Sequence, residues 1–464
     1  MCWHRAGIVL GNGAGQVNQI YTSDPGAPVI PGHRRSQWHL GNSEACSVKP
    51  FSFIHAADLH IGSPFKGISV ESAEVAEQLQ KSTFSAFDAL IKACIDHQVD
   101  FLLVAGDVYD GADRSLSAQL HFRDGLKQLA DAGIRSFVVH GNHDPLDGRV
   151  STIEWPQEVH NFGKAAETVT VEVDGESVAS VSGISFPKKN VEINLAKKLK
   201  PGPDHLFQIG LLHCNVGKDT GHDPYAPCEL GELQSSGFNY WALGHVHTRT
   251  KLSENPWVVY PGNSQGRSIR EQGARGCYLV QVDRQSTAEM EFVPLDVVRW
   301  HQTSVSILDI ESLDALDRRL VEVAEALPEA GRDVVCRISI EGRGPLYKEL
   351  RNEGAEAELL QRIRQNLESS DPLIWVQRIE LNCLPQVDLQ QRAEQGDLLA
   401  EVLTLANETA ESPAGLQRIE ADALDDLWKN PRAKKGLAPL DDADIRKILD
   451  QAKLLCLDLL EEEE

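Results

Sequence analysis

From Phe51 onward, short apolar runs alternate with stretches in which apolar residues recur every third or fourth position. Residues 51–57 and 136–140 are strand candidates, and the wholly apolar run 101–105 is expected to be a buried strand. Residues 75–97 and 116–132, lying between them, carry the period of amphipathic helices. Strands alternating with helices predict a mostly parallel α/β sheet. A hairpin is expected from 168–173 and 178–181 around the turn Asp174-Gly175. Further strands are expected at 207–212, 240–243, 257–260, 277–282 and 290–293, and this core closes near Arg299.

Beyond Arg299 the pattern repeats on a smaller scale. Strands are expected at 303–308, 334–340 and 374–380, separated by helical stretches at 312–327 and 346–367, which makes a small α/β unit. From Asp388 the chain turns helical and acidic, breaks in a Pro/Lys-rich stretch at 431–439, and finishes with a helix at 441–460 and four glutamates. That helix aligns Ile445, Leu449, Ala452, Cys456 and Leu459 on one stripe, with Ile448 and Leu455 beside it. Such a stripe packs on its own domain or docks on a partner's coiled coil. Residues 1–48 are rich in Gly, Ser, Asn and Pro, without a sustained period or a signal-peptide layout. They are expected to be a disordered extension or to lie upstream of the true start. The expected division is therefore 1–48, a core at 49–299, a small α/β unit at 300–385 and an acidic helical region at 386–464.

Composition narrows the class. Of 464 residues, 41% are hydrophobic and 25% charged, the balance of an ordinary globular protein. No apolar run approaches the roughly 18 residues a membrane span needs. The nine cysteines are scattered without a CxxC pair, which suggests reduced thiols and a cytoplasmic protein. A net charge of −24, from 45 basic and 69 acidic residues, argues against a chain that coats nucleic acid non-specifically. It leaves open a local grip on phosphate by bound cations, which the formal charge omits.

Five short motifs stand at or just past the ends of expected strands: Asp58-Leu59-His60, Gly106-Asp107, Gly141-Asn142-His143-Asp144, His213 and Gly244-His245-Val246-His247. In open α/β sheets ligands bind beyond the carboxyl ends of strands, so these side chains are expected to converge. Two divalent cations roughly 4 Å apart need a shared carboxylate and several nitrogen and oxygen donors. A mixed imidazole and carboxylate set suits Mn, Fe or Zn better than Mg or Ca. Gly106 and Gly141 are expected to permit sharp turns. Alternation in an extended 245–247 segment would send both imidazoles to one side. The motifs differ in specificity: Gly-Asn-His-Asp after the strand Phe137-Val138-Val139-His140 is specific, whereas Asp107 alone reads as a turn or helix cap and a lone His213 as a core histidine. Their joint order carries the inference.

That order resembles the calcineurin-like metallophosphoesterases, and within them the bacterial DNA repair exonucleases of the SbcD and YhaO type. The stretches Phe53-Ile54-His55-Ala56-Ala57-Asp58-Leu59-His60-Ile61-Gly62-Ser63 and Tyr260-Pro261-Gly262-Asn263-Ser264-Gln265-Gly266-Arg267 carry the closer similarity. It covers about residues 50–300 well, and the remainder only in layout. The implied fold is an α/β, four-layer metallophosphoesterase core of β-sheets flanked by helices, with a small α/β capping domain and a helical C-terminal region. The resemblance implies two divalent ions, Mn²⁺ foremost: one held by Asp58, His60 and His247, the other by Asn142, His213 and His245, with Asp107 bridging. His143 would contact the scissile phosphate and assist the leaving group, with Asp144 either orienting it or building the turn. Archaeal and eukaryotic nucleases of the family carry a second histidine three residues after the bridging aspartate. Here that position is Asp110, which puts a two-histidine mechanism in doubt.

The implied activity is a DNA exonuclease or phosphodiesterase acting in repair, with in-line attack by a metal-bridging hydroxide. The implied partners are DNA and an SMC-like coiled-coil ATPase, and a homodimer is compatible with the resemblance. The alternatives are a metallophosphatase or nucleotide phosphodiesterase acting on small esters, and a non-catalytic scaffold. The intact ligand set argues against the scaffold. Arg267 and Arg270, with Arg275, are expected either to contact the DNA backbone or to form a solvated loop with pairs such as Arg270–Glu271. Lys188, Lys189, Lys197, Lys198 and Lys200 read as a solvated basic face.

Overall fold

The computed structural model describes residues 48–63, 65, 73–111, 115–148, 153–217, 224–387, 389–423, 429 and 440–461. The expectations for residues 1–47, 431–439 and 462–464 lie outside the described residues. Val48 is described, and it is buried between the sheets.

The first sheet is built on parallel strands β1 (Phe51–Ala56), β2 (Phe101–Ala105), β3 (Arg135–Val139) and β4 (Val159–Asn161). On the β1 side β11 (Gly276–Val282) and β12 (Ala288–Pro294) add antiparallel strands. The second sheet runs β5 (Glu167–Val173), β6 (Glu176–Gly183), β7 (Phe207–His213), β8 (Tyr240–Gly244), β10 (Trp257–Tyr260) and β9 (Thr250–Glu254). Its central pairs β6–β7, β7–β8 and β8–β10 are parallel.

Strand periodicity explains how the layers stack. Phe51, Phe53, Phe101, Leu103 and Phe137 face Val181, Phe207, Ile209, Leu211 and Tyr240 across the space between the sheets. The intervening residues Ile54, Leu102, Val104 and Val138 point the other way, onto helices α1 (Ala73–Asp96) and α2 (Leu116–Asp131). Trp241, Leu243 and Val258 on the far face of the second sheet are covered by Phe186, Leu195 and Leu233. Two sheets between outer layers give the expected α/β metallophosphoesterase architecture, with the parallel strand ends of both sheets at one edge.

A third sheet joins β13 (Val298–Ser306), β14 (Asp333–Gly344) and β15 (Ile374–Pro385) in parallel. Helices α3 (Leu313–Glu325) and α5 (Ala355–Asn366) cover it through Leu316, Leu320, Leu359 and Ile363. The single helix expected at 346–367 is two, α4 (Tyr347–Leu350) and α5, because Gly354 stands at φ +88° between them. Phe65, Val75 and Leu79 pack on Val298, Trp300 and Val335, joining this unit to the core. Helix α6 (Leu398–Glu411) and the helix Asp442–Glu461 share Leu399, Leu403 and Leu457. The buried face of the latter runs through Ile445 and Leu457, while Leu455 and Leu459 point outward, so the stripe is rotated from the expected one. Among the described residues no helix is long and apolar enough to cross a membrane.

Candidate metal centre

Each motif begins where a strand ends. Asp58 and Asp107 stand two residues past β1 and β2, Asn142 follows β3, His213 closes β7, and His245 follows β8. The chain must leave each strand abruptly to aim these groups into one hollow. Accordingly Asp58, His60, Asp107 and His245 all adopt left-handed backbone, at φ +52°, +45°, +52° and +104°. Such conformations are disfavoured for non-glycine residues and persist only where the surroundings over-determine them. Here the bonds from Asp58 N to Gly106 O and from His60 N to Asp107 O, both 3.0 Å, lock the two loops together.

His245 departs from extended backbone, yet the segment still sends both imidazoles into the centre and Val246 the other way, as expected. The His245 ring lies 5.3 Å from that of His213, the His247 ring 5.0 Å from that of His60, and Val246 is buried in the outer core. Gly106 has the expected positive φ, +88°. Gly141 does not; it is required by close approach, since a Cβ there would lie 2.3 Å from Asp107 Oδ1. Gly244 is needed for the same reason: its Cβ would stand 1.9 Å from Ala105 O, where the two sheets meet.

Six of the seven expected ligands are linked by short contacts. His60 Nε2 is 3.2 Å from His247 Nε2, and Asp58 Oδ1 is 4.0 Å from His247 Nε2. Asp107 Oδ2 lies between the two groups, 3.9 Å from His60 Nε2 and 3.4 Å from His213 Nε2. Asn142 Oδ1 is 2.9 Å from His213 Nε2. Asp58, His60 and His247 form one cluster able to hold an ion, and Asp58, Asp107 and His213 another. His245 joins by its ring beside His213 and by its backbone, which donates to both Asp58 oxygens at 3.1 and 3.0 Å.

The hydrogen bonds make this donor set a fit for cations. His213 Nδ1 donates to Ala105 O at 2.9 Å and His247 Nδ1 to Glu271 Oε1 at 2.6 Å, leaving each Nε2 with a lone pair turned inward. As the Asn142 amide stands, its oxygen then faces the bare His213 nitrogen, an acceptor against an acceptor, a contact that a cation held by both residues would resolve. Asp58 and Asp107 are each 1% exposed. Burial, and then the charge of Asp107, pushes the Asp58 pKa well up, the burden that bound cations would remove. Burial, with Arg267 and the neighbouring imidazoles, pushes His60 well down, toward the neutral form a ligand needs. Burial opposes ionisation of Glu271, but its bond from His247 holds the pKa down at about 2.

His143 stands at the rim, its ring 5.1 Å from that of His60. The carboxylate on its Nδ1 is that of Asp110, at 2.7 Å. Asp144 builds the turn instead: it accepts from Gly141 N at 2.7 Å, Val108 N at 2.9 Å and His140 Nδ1 at 3.0 Å. The bond to Asp110 raises the His143 pKa against the effect of burial. Asp110 in turn accepts from Ser63 Oγ at 2.7 Å and Arg267 Nη1 at 3.2 Å. Arg267 is thus turned inward, 8% exposed, whereas Arg270 is exposed. Arg275 is buried, donating to His247 O and Asn263 Oδ1. Glu271 is engaged with His247 and Arg267 N in place of the anticipated Arg270 pair. Glu271 had no local signal of this role, and Asp110 stood out in the sequence only as a departure from the pattern of the resemblance.

Residues 51–249 match the family described as calcineurin-like phosphoesterase, and residues 300–384 match the middle domain of metallophosphoesterase YhaO. The chain is 36% identical over 331 residues to the uncharacterized metallophosphoesterase YhaO of Bacillus subtilis, covering 71% of this chain and 81% of that protein. It is 25% identical over 230 residues to the DNA double-strand break repair protein Mre11 of Saccharolobus solfataricus, covering 48% of this chain and 56% of that one. It is 26% identical over 257 residues to a subunit of the nuclease SbcCD of Bacillus subtilis, covering 47% and 63% respectively. This chain belongs to the calcineurin-like metallophosphoesterase family.

Proposed function

We propose that this chain hydrolyses phosphodiester bonds of DNA at a centre of two divalent cations, as the nuclease subunit of an assembly with an SMC-like coiled-coil ATPase. The observation that carries the hydrolase reading is the meeting of Asp58, His60, Asp107, Asn142, His213 and His247 at the strand ends of two sheets. The DNA reading draws support from relatives described as a DNA double-strand break repair protein and as a nuclease subunit. Asp58, His60 and His247 would hold one ion and Asn142, His213 and His245 the other, with Asp107 shared; Mn²⁺ suits this mixed donor set. Bound there, the ions would offset phosphate charge and lower the pKa of water.

The protein's own groups do the rest. Asp110 holds the His143 ring by Nδ1, which leaves Nε2 for the leaving oxygen. Exposed Arg270 would touch the backbone of the nucleic acid. In this reading 49–299 is the nuclease core, 300–385 its cap and 386–464 the docking region. Exposed Leu398, Leu405, Leu455 and Leu459 on the last of these supply apolar surface for the ATPase. The seven cysteines described are free thiols, in keeping with a cytoplasmic setting.

Purified protein with Mn²⁺, given end-labelled DNA and separately a small phosphodiester, tests the reading. Shortening of the DNA, lost in Asp107→Asn and in a metal-replete His143→Ala enzyme, is expected. Cleavage of the small ester alone, even with the cognate ATPase added, would shift the assignment to a small-molecule phosphodiesterase.

A further inference from the structure

The loop 261–275 makes more buried polar bonds than the proposed reaction uses. Gln265 is 1% exposed and devotes both ends of its amide to the joint with the three-stranded unit. Its Oε1 accepts from Val297 N and Val298 N at 3.0 and 3.2 Å, and its Nε2 donates to Val298 O at 2.7 Å. Trp300 Nε1 donates to Gly266 O at 3.0 Å, so the loop is fastened to β13 at two consecutive residues. From that anchorage the loop folds back on itself, with Glu271 O so near Gly266 that a Cβ there would lie 2.6 Å away. This places the Glu271 carboxylate between two groups: Oε1 accepts from His247 Nδ1 at 2.6 Å and Oε2 from Arg267 N at 2.7 Å. Arg275 Nη1 donates to His247 O at 2.5 Å, so the same loop grips the ring and the backbone of one residue.

We propose that Glu271 is a positioning residue that fixes the His247 ring for a cation, and that the loop carrying it takes its place from the three-stranded unit through Gln265. A carboxylate on Nδ1 fixes the tautomer, keeps the Nε2 lone pair turned inward and raises its basicity. Glu271 touches neither substrate nor ion; it acts through His247. Displacement of β13 relative to the core would move Gln265, then the turn at Glu271, then the ring. The inference rests on the reading that His247 holds a metal.

The test is Mn²⁺ affinity, measured by calorimetry on the full chain freed of metal, beside the thermal midpoint of each metal-free protein. Glu271→Ala is expected to bind Mn²⁺ about 10- to 100-fold more weakly, with Glu271→Gln between it and the parent. Gln265→Ala, remote from the ring, is expected to weaken binding by about 2- to 30-fold. Gln272→Ala, an exposed neighbour, should bind like the parent. Parental affinity in Glu271→Ala, or a loss matched by an equal fall in metal-free stability in both Glu271 variants, would overturn the positioning role. Parental affinity in Gln265→Ala would overturn the link to the three-stranded unit. Failure of the metal reading itself would show separately, as His247→Ala binding Mn²⁺ like the parent.

Discussion

Asp110 Oδ1 lies 2.7 Å from His143 Nδ1, and Ser63 and Arg267 hold the other oxygen of the same carboxylate. Asp110 is thereby placed to brace the His143 ring. A histidine fixed by Nδ1 can present Nε2 to a departing oxygen, a function worth most when the leaving group is a poor one. Asp110→Asn is accordingly expected to slow hydrolysis of an alkyl phosphodiester by about 10- to 100-fold while changing a p-nitrophenyl ester far less. Rates on the two esters check this. An equal loss on both would mean that Asp110 only supports the fold.

Asp58 and Asp107 share one buried hollow, where burial and then the charge of Asp107 disfavour ionisation of Asp58. Cations relieve that repulsion, so chelation should lower the thermal midpoint and Mn²⁺ should restore it. At a metal concentration 100 times the dissociation constant the gain is about 2.7 kcal/mol. Asp107→Asn should abolish the Mn²⁺-dependent increment. It should also raise the stability of the metal-free protein, by on the order of 1 kcal/mol, because a buried like charge is gone. Scanning calorimetry with and without chelator reads both changes, and a metal-free Asp107→Asn protein less stable than the parent would contradict the second.

Two glycines, one after α2 and one at the centre, separate turn geometry from steric need. Gly133 has φ +76° with nothing near a Cβ, whereas Gly106 has φ +88° and the His213 ring 2.6 Å away. Gly133→Ala should therefore show backbone strain alone, about 1 kcal/mol, with Mn²⁺ binding intact. Gly106→Ala should add an overpacking cost of about 1–3 kcal/mol and displace His213, weakening Mn²⁺ binding. Urea midpoints and metal titrations distinguish the two, and equal effects on metal binding would refute the steric argument.

How much of this was legible in the sequence follows from where the information sits. β2 is five apolar residues, and periodicity alone places it to the residue. β9, with the sequence Thr-Lys-Leu-Ser-Glu at a sheet edge, has neither an apolar run nor alternation, and it forms because β10 pairs with it. Asp58, Asp107, Asn142 and His213 were visible because each stands at the end of a recognisable strand. Glu271 and Asp110 were not, because their roles arise from contacts 24 and 33 residues distant, to His247 and His143. Arg267 shows the converse: a basic residue in a glycine-rich loop suggested solvent or phosphate, and its burial against Asp110 is purely a tertiary outcome.

His55 reports on the joint between the sheets at the level just below the centre. Its Nε2 donates to Leu243 O at 3.2 Å, and its Nδ1, 3.0 Å away, accepts from the Tyr240 hydroxyl, so β1 and β8 are bridged by a neutral imidazole. Burial holds its pKa down at about 3. In the unfolded chain the value is about 6.5. Between those values the unfolded state binds a proton that the folded state refuses, so stability must rise with pH there. The contribution is complete above about pH 6.5 and is lost as the pH falls from there toward 3, with a limiting slope of about 1.4 kcal/mol per unit. Urea unfolding of the chelated protein at pH 6.5 and pH 5 should therefore show the parent losing about 2 kcal/mol more than His55→Gln over that interval. That variant should also be less stable at pH 7.5 by about 1–3 kcal/mol, for the altered bonds to Leu243 and Tyr240. Identical pH slopes in the two proteins would mean that the imidazole accepts its proton without leaving the folded state.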